Sequence, residues 1–273
     1  MTDSCQAIVR NADFDRYLSA LFVPERLRGE IFALYAFNHE VAKIAETVSE
    51  PMLGRIRLQW WRETIEEIYS GMPRRHDVAI ALYNAIEAAD LPRELFEDFF
   101  DARELDLESE PFANLVEMET YAEATAGGIM RLAARVLGAG DTLDRLAIDI
   151  GIAYAFTGIL RALPFHAEHG RIMLPKDHLA AAGLFAQEML SGRAPMIHTV
   201  TNQIAGIANT HLRIAHLSSV PRRFLPALLP GALVGPYLKL LTRADFDPFR
   251  DPAELSVPRR QLAMLGAMMR GRI

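Results

Sequence analysis

Apolar residues recur at helical intervals along most of the chain. From Glu30 to Ser49 they fall at Ile31, Leu34, Tyr35, Val41, Ala42, Ala45 and Val48. That is the i, i+3, i+4 spacing of one helix face. Pro51 breaks the run, because the residue before a proline avoids helical backbone angles. The pattern then predicts a helix over 52–70 with Ile56, Trp60, Ile65 and Ile68 inward, ended by Gly71. Further helices are predicted over 78–89, from Pro92 through the following acidic stretch, and over 115–137. Asp141 or Thr142 caps another, with Ile148, Ile152, Ala155, Phe156 and Ile159 as its stripe. Pro164 should stop it near Leu163, since the ring clashes with the preceding turn. A loop with Gly170 and Pro175 follows, then Pro195 opens a long helix to about Ser218. One or two terminal helices come after the proline-punctuated segment 221–236. No stretch alternates with the period of a strand, and no linker or repeat divides the chain. The reading is all-α, one domain over 1–273.

One irregularity stands inside this pattern. Gly127 and Gly128 interrupt the helix over 115–137, at about 1 kcal/mol each relative to alanine. Such a pair predicts either a kink or a close approach of the backbone to a neighbouring helix or a ligand.

Charge changes the picture in one place. The chain of 273 residues has a net charge of −6, and its acids are clustered. Residues 94 to 123 hold eleven acids against the single base Arg103. A solvated helix face is the plain reading of such a run. The last seventeen residues hold Arg259, Arg260, Arg270 and Arg272 and no acid. Nucleic-acid binding is not expected, because it needs concentrated positive charge. The single Cys5 excludes a disulfide framework or a cysteine metal cluster. No signal peptide is expected from the first residues, and no membrane span, which needs roughly 20 apolar residues. His166 and His169 lack a third partner nearby in sequence, so no zinc site is expected. His198, His211 and His216 are read as packing or surface residues. Phosphate-binding glycine loops are absent.

The chemistry gathers at the ends of two helices. One carries Ala42, Lys43 and Glu46; the other carries Arg161, followed by Ala162, Pro164, His166, Arg171 and Lys176. A greasy helical core with arginines at one end suits a long apolar ligand with an anionic head.

The stretches ALYAFNHEVAKIAE (33–46), LQWWRETIEEIYSG (58–71), YAEATAGGIM (121–130) and GIAYAFTGILRALPFHAEHGRIMLP (151–175) resemble the squalene/phytoene synthase family in order and spacing. The resemblance implies the all-α isoprenoid synthase fold, a helical bundle around a central cavity. It also implies head-to-head joining of two prenyl diphosphates, gripped by magnesium on two aspartate-rich clusters. Magnesium wants several oxygen ligands in octahedral array. Here the first cluster reads Ala42, Lys43, Ile44, Ala45, Glu46, and the second has Ala162, Phe165 and His166 around Pro164. His39 replaces an arginine of the first motif. Tyr35, His39, Arg161, Arg171 and Tyr237, with the pair Arg259-Arg260, match positions that the family turns toward its ligand. Lys43, Glu46 and His166 are the candidates for any acid–base or electrostatic work. No bound metal is expected, magnesium belonging to the alternative of an active prenyltransferase. Lys43 either stands where a magnesium ion would sit or pairs with Glu40 or Glu46 at helical spacing.

VSE (48–50), QWW (59–61), VAI (78–80), the PFH of 164–166 and ADFDPF (244–249) resemble a degenerate branch of the family tied to assembly of respiratory complex I. That resemblance implies a pseudoenzyme with complex I subunits as partners, or an isoprenoid- or lipid-binding protein. It also implies a cytoplasmic location with peripheral contact to the inner membrane, through Phe224–Leu238 and the basic end. Two alternatives stay open: an active head-to-head prenyltransferase, and metal-independent lyase or transferase chemistry in the same cavity.

Overall fold

The computed structural model describes residues 2–48, 50–216, 218 and 220–273; Ser49, where the first helical run ends in the sequence, lies outside them. Among the described residues, thirteen helices set the architecture: α1 Thr2–Ala12, α2 Phe14–Ala20, α3 Glu25–Ala42, α4 Pro51–Tyr69, α5 Asp77–Ala89, α6 Glu94–Glu104, α7 Leu115–Ala122, α8 Gly128–Val136, α9 Asp144–Arg161, α10 Leu163–Glu168, α11 Ile197–His216, α12 Val234–Leu241 and α13 Val257–Arg270. Shorter helical turns join them, and among the described residues there is no strand.

Local chemistry sets several boundaries. Asp13 caps α2, its Oδ1 accepting from the Arg16 amide at 3.0 Å. Pro51 sits in the first turn of α4, where a missing N–H costs nothing. Asn114 accepts from the Glu117 amide and Glu117 reaches back to the Ala113 amide, fixing the start of α7. Gly71 and Gly138 take left-handed φ angles of 77° and 83° where helices end.

Three expectations need correction. Ile56 and Trp60, read as inward, are 59% and 36% exposed; Ile65 and Ile68 are buried as expected, and Leu58 and Trp61 take the other inward places. The stripe is right over the second half of the helix and misphased over the first. The helix before Pro164 does stop, at Arg161, but the loop expected next is preceded by a short helix: α10 begins at Leu163, with Pro164 in its first turn. The segment from Phe224 to Leu238 does not face outward. Phe224, Leu225, Leu228, Leu229, Leu233 and Tyr237 are all buried, so it closes the core rather than offering a membrane contact.

The core is one contiguous cluster of buried apolar side chains. Phe37 of α3 anchors one end, its ring 5.3–5.8 Å from those of Trp61, Phe96, Phe99 and Phe100. Such aromatic contacts add roughly 0.5–1.5 kcal/mol each beyond the area they bury. At the other end α9 packs on α8, α11 and the segment 123–127. That segment is a turn of π-helix, Glu123–Gly127, inserted between α7 and α8. A Cβ on Gly151 of α9 would lie 2.4 Å from the Gly127 Cα, so glycine at 151 is what lets the two backbones touch there. Gly127 therefore marks close helix approach.

Candidate functional site

The ends of α3, α6, α9 and α10 converge with α2 and the π turn on a cavity of about 220 Å³. Four arginines line it: Arg16, Arg103, Arg161 and Arg171. Its carboxylates are Asp106 and Glu46, joined by Tyr121, Tyr154, Thr125 and His166.

Each guanidinium is held from behind. Arg16 pairs with Asp13 at 3.0 Å and stacks near Tyr35 and Tyr154 at 5.6 and 5.3 Å. Arg103 pairs with Asp106 at 2.9 Å and also reaches Tyr121 Oη and Asn38 Oδ1. Tyr121 Oη donates to the second Asp106 oxygen at 2.7 Å, so both oxygens of that carboxylate are engaged. Arg171, 9% exposed, donates Nη1 to the Asp106 carbonyl at 3.3 Å. Arg161 reaches Asp15 at 3.3 Å and the Ala253 carbonyl at 3.2 Å. It lies 3.7 Å above the Tyr237 ring. Asp15, 5% exposed, also accepts from Tyr237 Oη and from Arg260, each at 3.1 Å.

Burial works against charge on Arg103, but Tyr121 and Asp106 hold its pKa above the ordinary value. Burial raises the tyrosine pKa values, that of Tyr154 most strongly and that of Tyr237 to about 12. His166 is pushed down to about 4, by burial first and by Arg171 second, so it is neutral near pH 7. The Nε atoms of Arg103 and Arg171 and the Nδ1 of His166 are buried without a hydrogen-bond partner.

The sequence-derived residues fall into three groups. Glu46, His166, Arg161 and Arg171 line the cavity together with Ala42. Tyr35 and Tyr237 stand behind it, under Arg16 and Arg161. Lys43 and His39 do not line it. Lys43 ends α3 and pairs with Glu40 at 2.5 Å, opening on a separate pocket with Trp60, Trp61 and His76. Its charge is therefore not placed where a metal would sit. His39 is half-buried, its pKa lowered by burial and then by Lys43.

Sequence reasoning missed Arg16, Arg103, Asp106 and Asp15. One signal was available: Arg103 is the only base in the acidic run. Asp106 belongs to the same run, read as solvated throughout, yet it is 6% exposed. The neighbouring Asp101, Glu104 and Glu108 do face solvent, pairing with Arg62 and Arg55 on α4.

The donor set can be tested for magnesium. The ion takes an octahedron of oxygens; the cavity offers the exposed Glu46 and an Asp106 whose oxygens are already committed. Among the described residues no three His, Cys, Asp or Glu side chains gather around one point. The charge that the cavity presents to a ligand is carried by guanidinium groups.

Known proteins place this geometry. The squalene/phytoene synthase family model matches residues 9–261. The bovine NADH dehydrogenase (ubiquinone) complex I, assembly factor 6 is 34% identical over 249 residues, covering 90% of this chain and 75% of that one. The 15-cis-phytoene synthase of Synechococcus elongatus is 23% identical, covering 99% and 93%. A dehydrosqualene synthase crystallised with ligand superposes with a TM-score of 0.86 over 98% of this chain and 95% of its own, at 16% identity. That fold is the isoprenoid synthase fold expected from the sequence. This chain belongs to the squalene/phytoene synthase family.

Proposed function

We propose that this chain serves the assembly of respiratory complex I, and that its cavity holds an anionic ligand on arginines without magnesium. One observation carries the reading: the mammalian relatives named as complex I assembly factor 6 share 32–34% of residues across nine-tenths of the chain, against 23–27% for phytoene synthases. The cavity chemistry agrees. Four guanidiniums line it, while Ala42 and His166 stand where the resemblance implies carboxylates for metal. Guanidinium binds phosphate oxygens through paired N–H groups and needs no bridging cation.

The cavity of about 220 Å³ has room for a single anionic head among its guanidiniums. Glu46 and the neutral His166 are then recognition groups. The partners are complex I subunits, and the location is cytoplasmic, at the face of the inner membrane.

Two measurements test this. Deletion of the gene should lower assembled complex I and NADH:quinone activity while leaving squalene and carotenoid levels unchanged. Purified protein given farnesyl or geranylgeranyl diphosphate with magnesium should form no head-to-head product. Turnover above background would restore the prenyltransferase reading.

A further inference from the structure

Helix α13 is apolar on both sides. Inward it buries Met264 and Ala267 against the turn Leu229–Leu233 and against α2. Outward, Leu262, Leu265 and Met269 are 68%, 46% and 71% exposed. Their i, i+3, i+7 spacing makes one stripe on the helix. A surface helix of this kind normally carries polar side chains outward.

The rim of this stripe is cationic. Arg259, Arg270 and Arg272 flank it, and no acid occurs from Leu255 to Ile273. Arg222 donates to the Met269 carbonyl at 3.2 Å, which brings the exposed Arg222-Arg223 pair to the same end of the helix. That pair belongs to a stretch, 189–244, that also has no acid. The ion pairs of this part of the chain use Arg243, Arg250 and Arg260. Among the described residues the five rim arginines have no carboxylate partner. Beside them opens a pocket of about 460 Å³ lined by Leu212, Pro236 and Ala263, with His216, Arg270 and Arg272 as polar side chains.

A second exposed apolar stripe argues by contrast. Met52, Leu53, Ile56 and Trp60 of α4 are also exposed. There, however, Arg55 and Arg62 are already paired with Glu108, Asp101 and Glu104. Anionic surroundings repel an anionic surface; the surroundings of α13 attract one.

We propose that the outward face of α13 is a docking surface for an anionic lipid bilayer. Leu262, Leu265 and Met269 enter the acyl boundary, and Arg222, Arg223, Arg259, Arg270 and Arg272 meet the headgroup phosphates. An amphipathic helix lying in the interface binds by this combination of buried apolar area and charge. The surface is separate from the cavity, whose arginines it does not share.

The test is co-sedimentation of the full chain with vesicles, either phosphatidylcholine alone or phosphatidylcholine mixed with phosphatidylglycerol. The chain should partition to the mixed vesicles at least about tenfold more strongly, and high salt should release it. The triple variant R259Q/R270Q/R272Q should lose about a hundredfold in partitioning, roughly fivefold per guanidinium. L262Q/M269Q should lose about tenfold or more. The lysine triple R259K/R270K/R272K should keep most of the binding, which separates lost charge from lost folding. The α4 variant I56Q should behave as wild type. Equal partitioning to both vesicles, or glutamine variants of α13 that bind as wild type does, would overturn the proposal. So would retention by an acidic protein partner with no vesicle binding, which would make the face a protein interface.

Discussion

Asp15 joins three elements distant in sequence, and replacing it with asparagine should cost more than any other single polar change. Its carboxylate accepts from Arg161, Tyr237 and Arg260 at 3.1–3.3 Å. In Asp15→Asn, one oxygen becomes an amide NH2 that donates toward the guanidiniums. Two charge-assisted bonds weaken or vanish, each worth about 1.5–3 kcal/mol. The guanidiniums are not stranded completely. Arg161 keeps the Ala253 carbonyl and the Tyr237 ring, and Arg260 keeps the Leu255 carbonyl at 2.8 Å. The Arg161 side chain is also 25% exposed, so water recovers part of its loss. The net expectation is a destabilisation of about 3–4 kcal/mol, in line with breaking a buried pair from one side. For a chain of this size that is a fall of about 6–15 °C in Tm. Differential scanning calorimetry on wild type and variant measures it. A double-mutant cycle with Arg260→Gln should show a coupling of about 1 kcal/mol or more. A variant within about 1 kcal/mol of wild type would refute the reasoning, because Asp15 would then be a spectator of arginines held by their carbonyls.

Other outcomes are as specific. His166 has a folded pKa of about 4 against an ordinary 6.5, so the folded state prefers it neutral. The stability this contributes is present above pH 6.5 and is lost as pH falls toward 4, about 3 kcal/mol in all; His166→Gln should flatten that part of a stability–pH curve. Gly151→Ala puts a methyl 2.4–2.9 Å from the backbone of Ala126 and Gly127, and should cost about 3 kcal/mol or more, or prevent folding, as read by urea denaturation. Pyrophosphate should raise Tm equally with magnesium and with a chelator present. Arg171→Gln should weaken pyrophosphate binding by about tenfold or more in isothermal titration.

The helices were legible because burial follows a 3.6-residue period that the sequence writes plainly. Their ends were legible where a residue acts locally, as at Pro51 and Gly71. Phase was harder: Ile56 and Trp60 of α4 match a stripe as well as Leu58 and Trp61 do, and only the neighbours in space decide between them. The cavity was half legible. Glu46, Arg161, His166 and Arg171 lie in stretches that resemble the family, so each had a position to be compared with. Asp15 had no such signal, since its partner Arg260 is 245 residues away. Asp106 was hidden by its own neighbours, because a run of acids reads as solvent-facing unless one knows that Arg103 turns inward beneath it.

The placement of acids around the cavity gives its chemistry a direction. Asp13, Asp15 and Asp106 pair with Arg16, Arg161 and Arg103, so they orient cations instead of ligating them. A carboxylate set facing inward would need divalent metal to become attractive to phosphate. The same charges, used to aim guanidiniums inward, make the cavity attractive at once. The Nε atoms of Arg103 and Arg171 and the Nδ1 of His166 have no partner, and an unpaired buried polar atom costs about 1–3 kcal/mol. An oxyanion that reaches these atoms would remove that penalty in addition to its own contacts. Binding should therefore stabilise the fold more than an equal number of surface contacts would, and the gain should shrink in step when Arg171 is replaced.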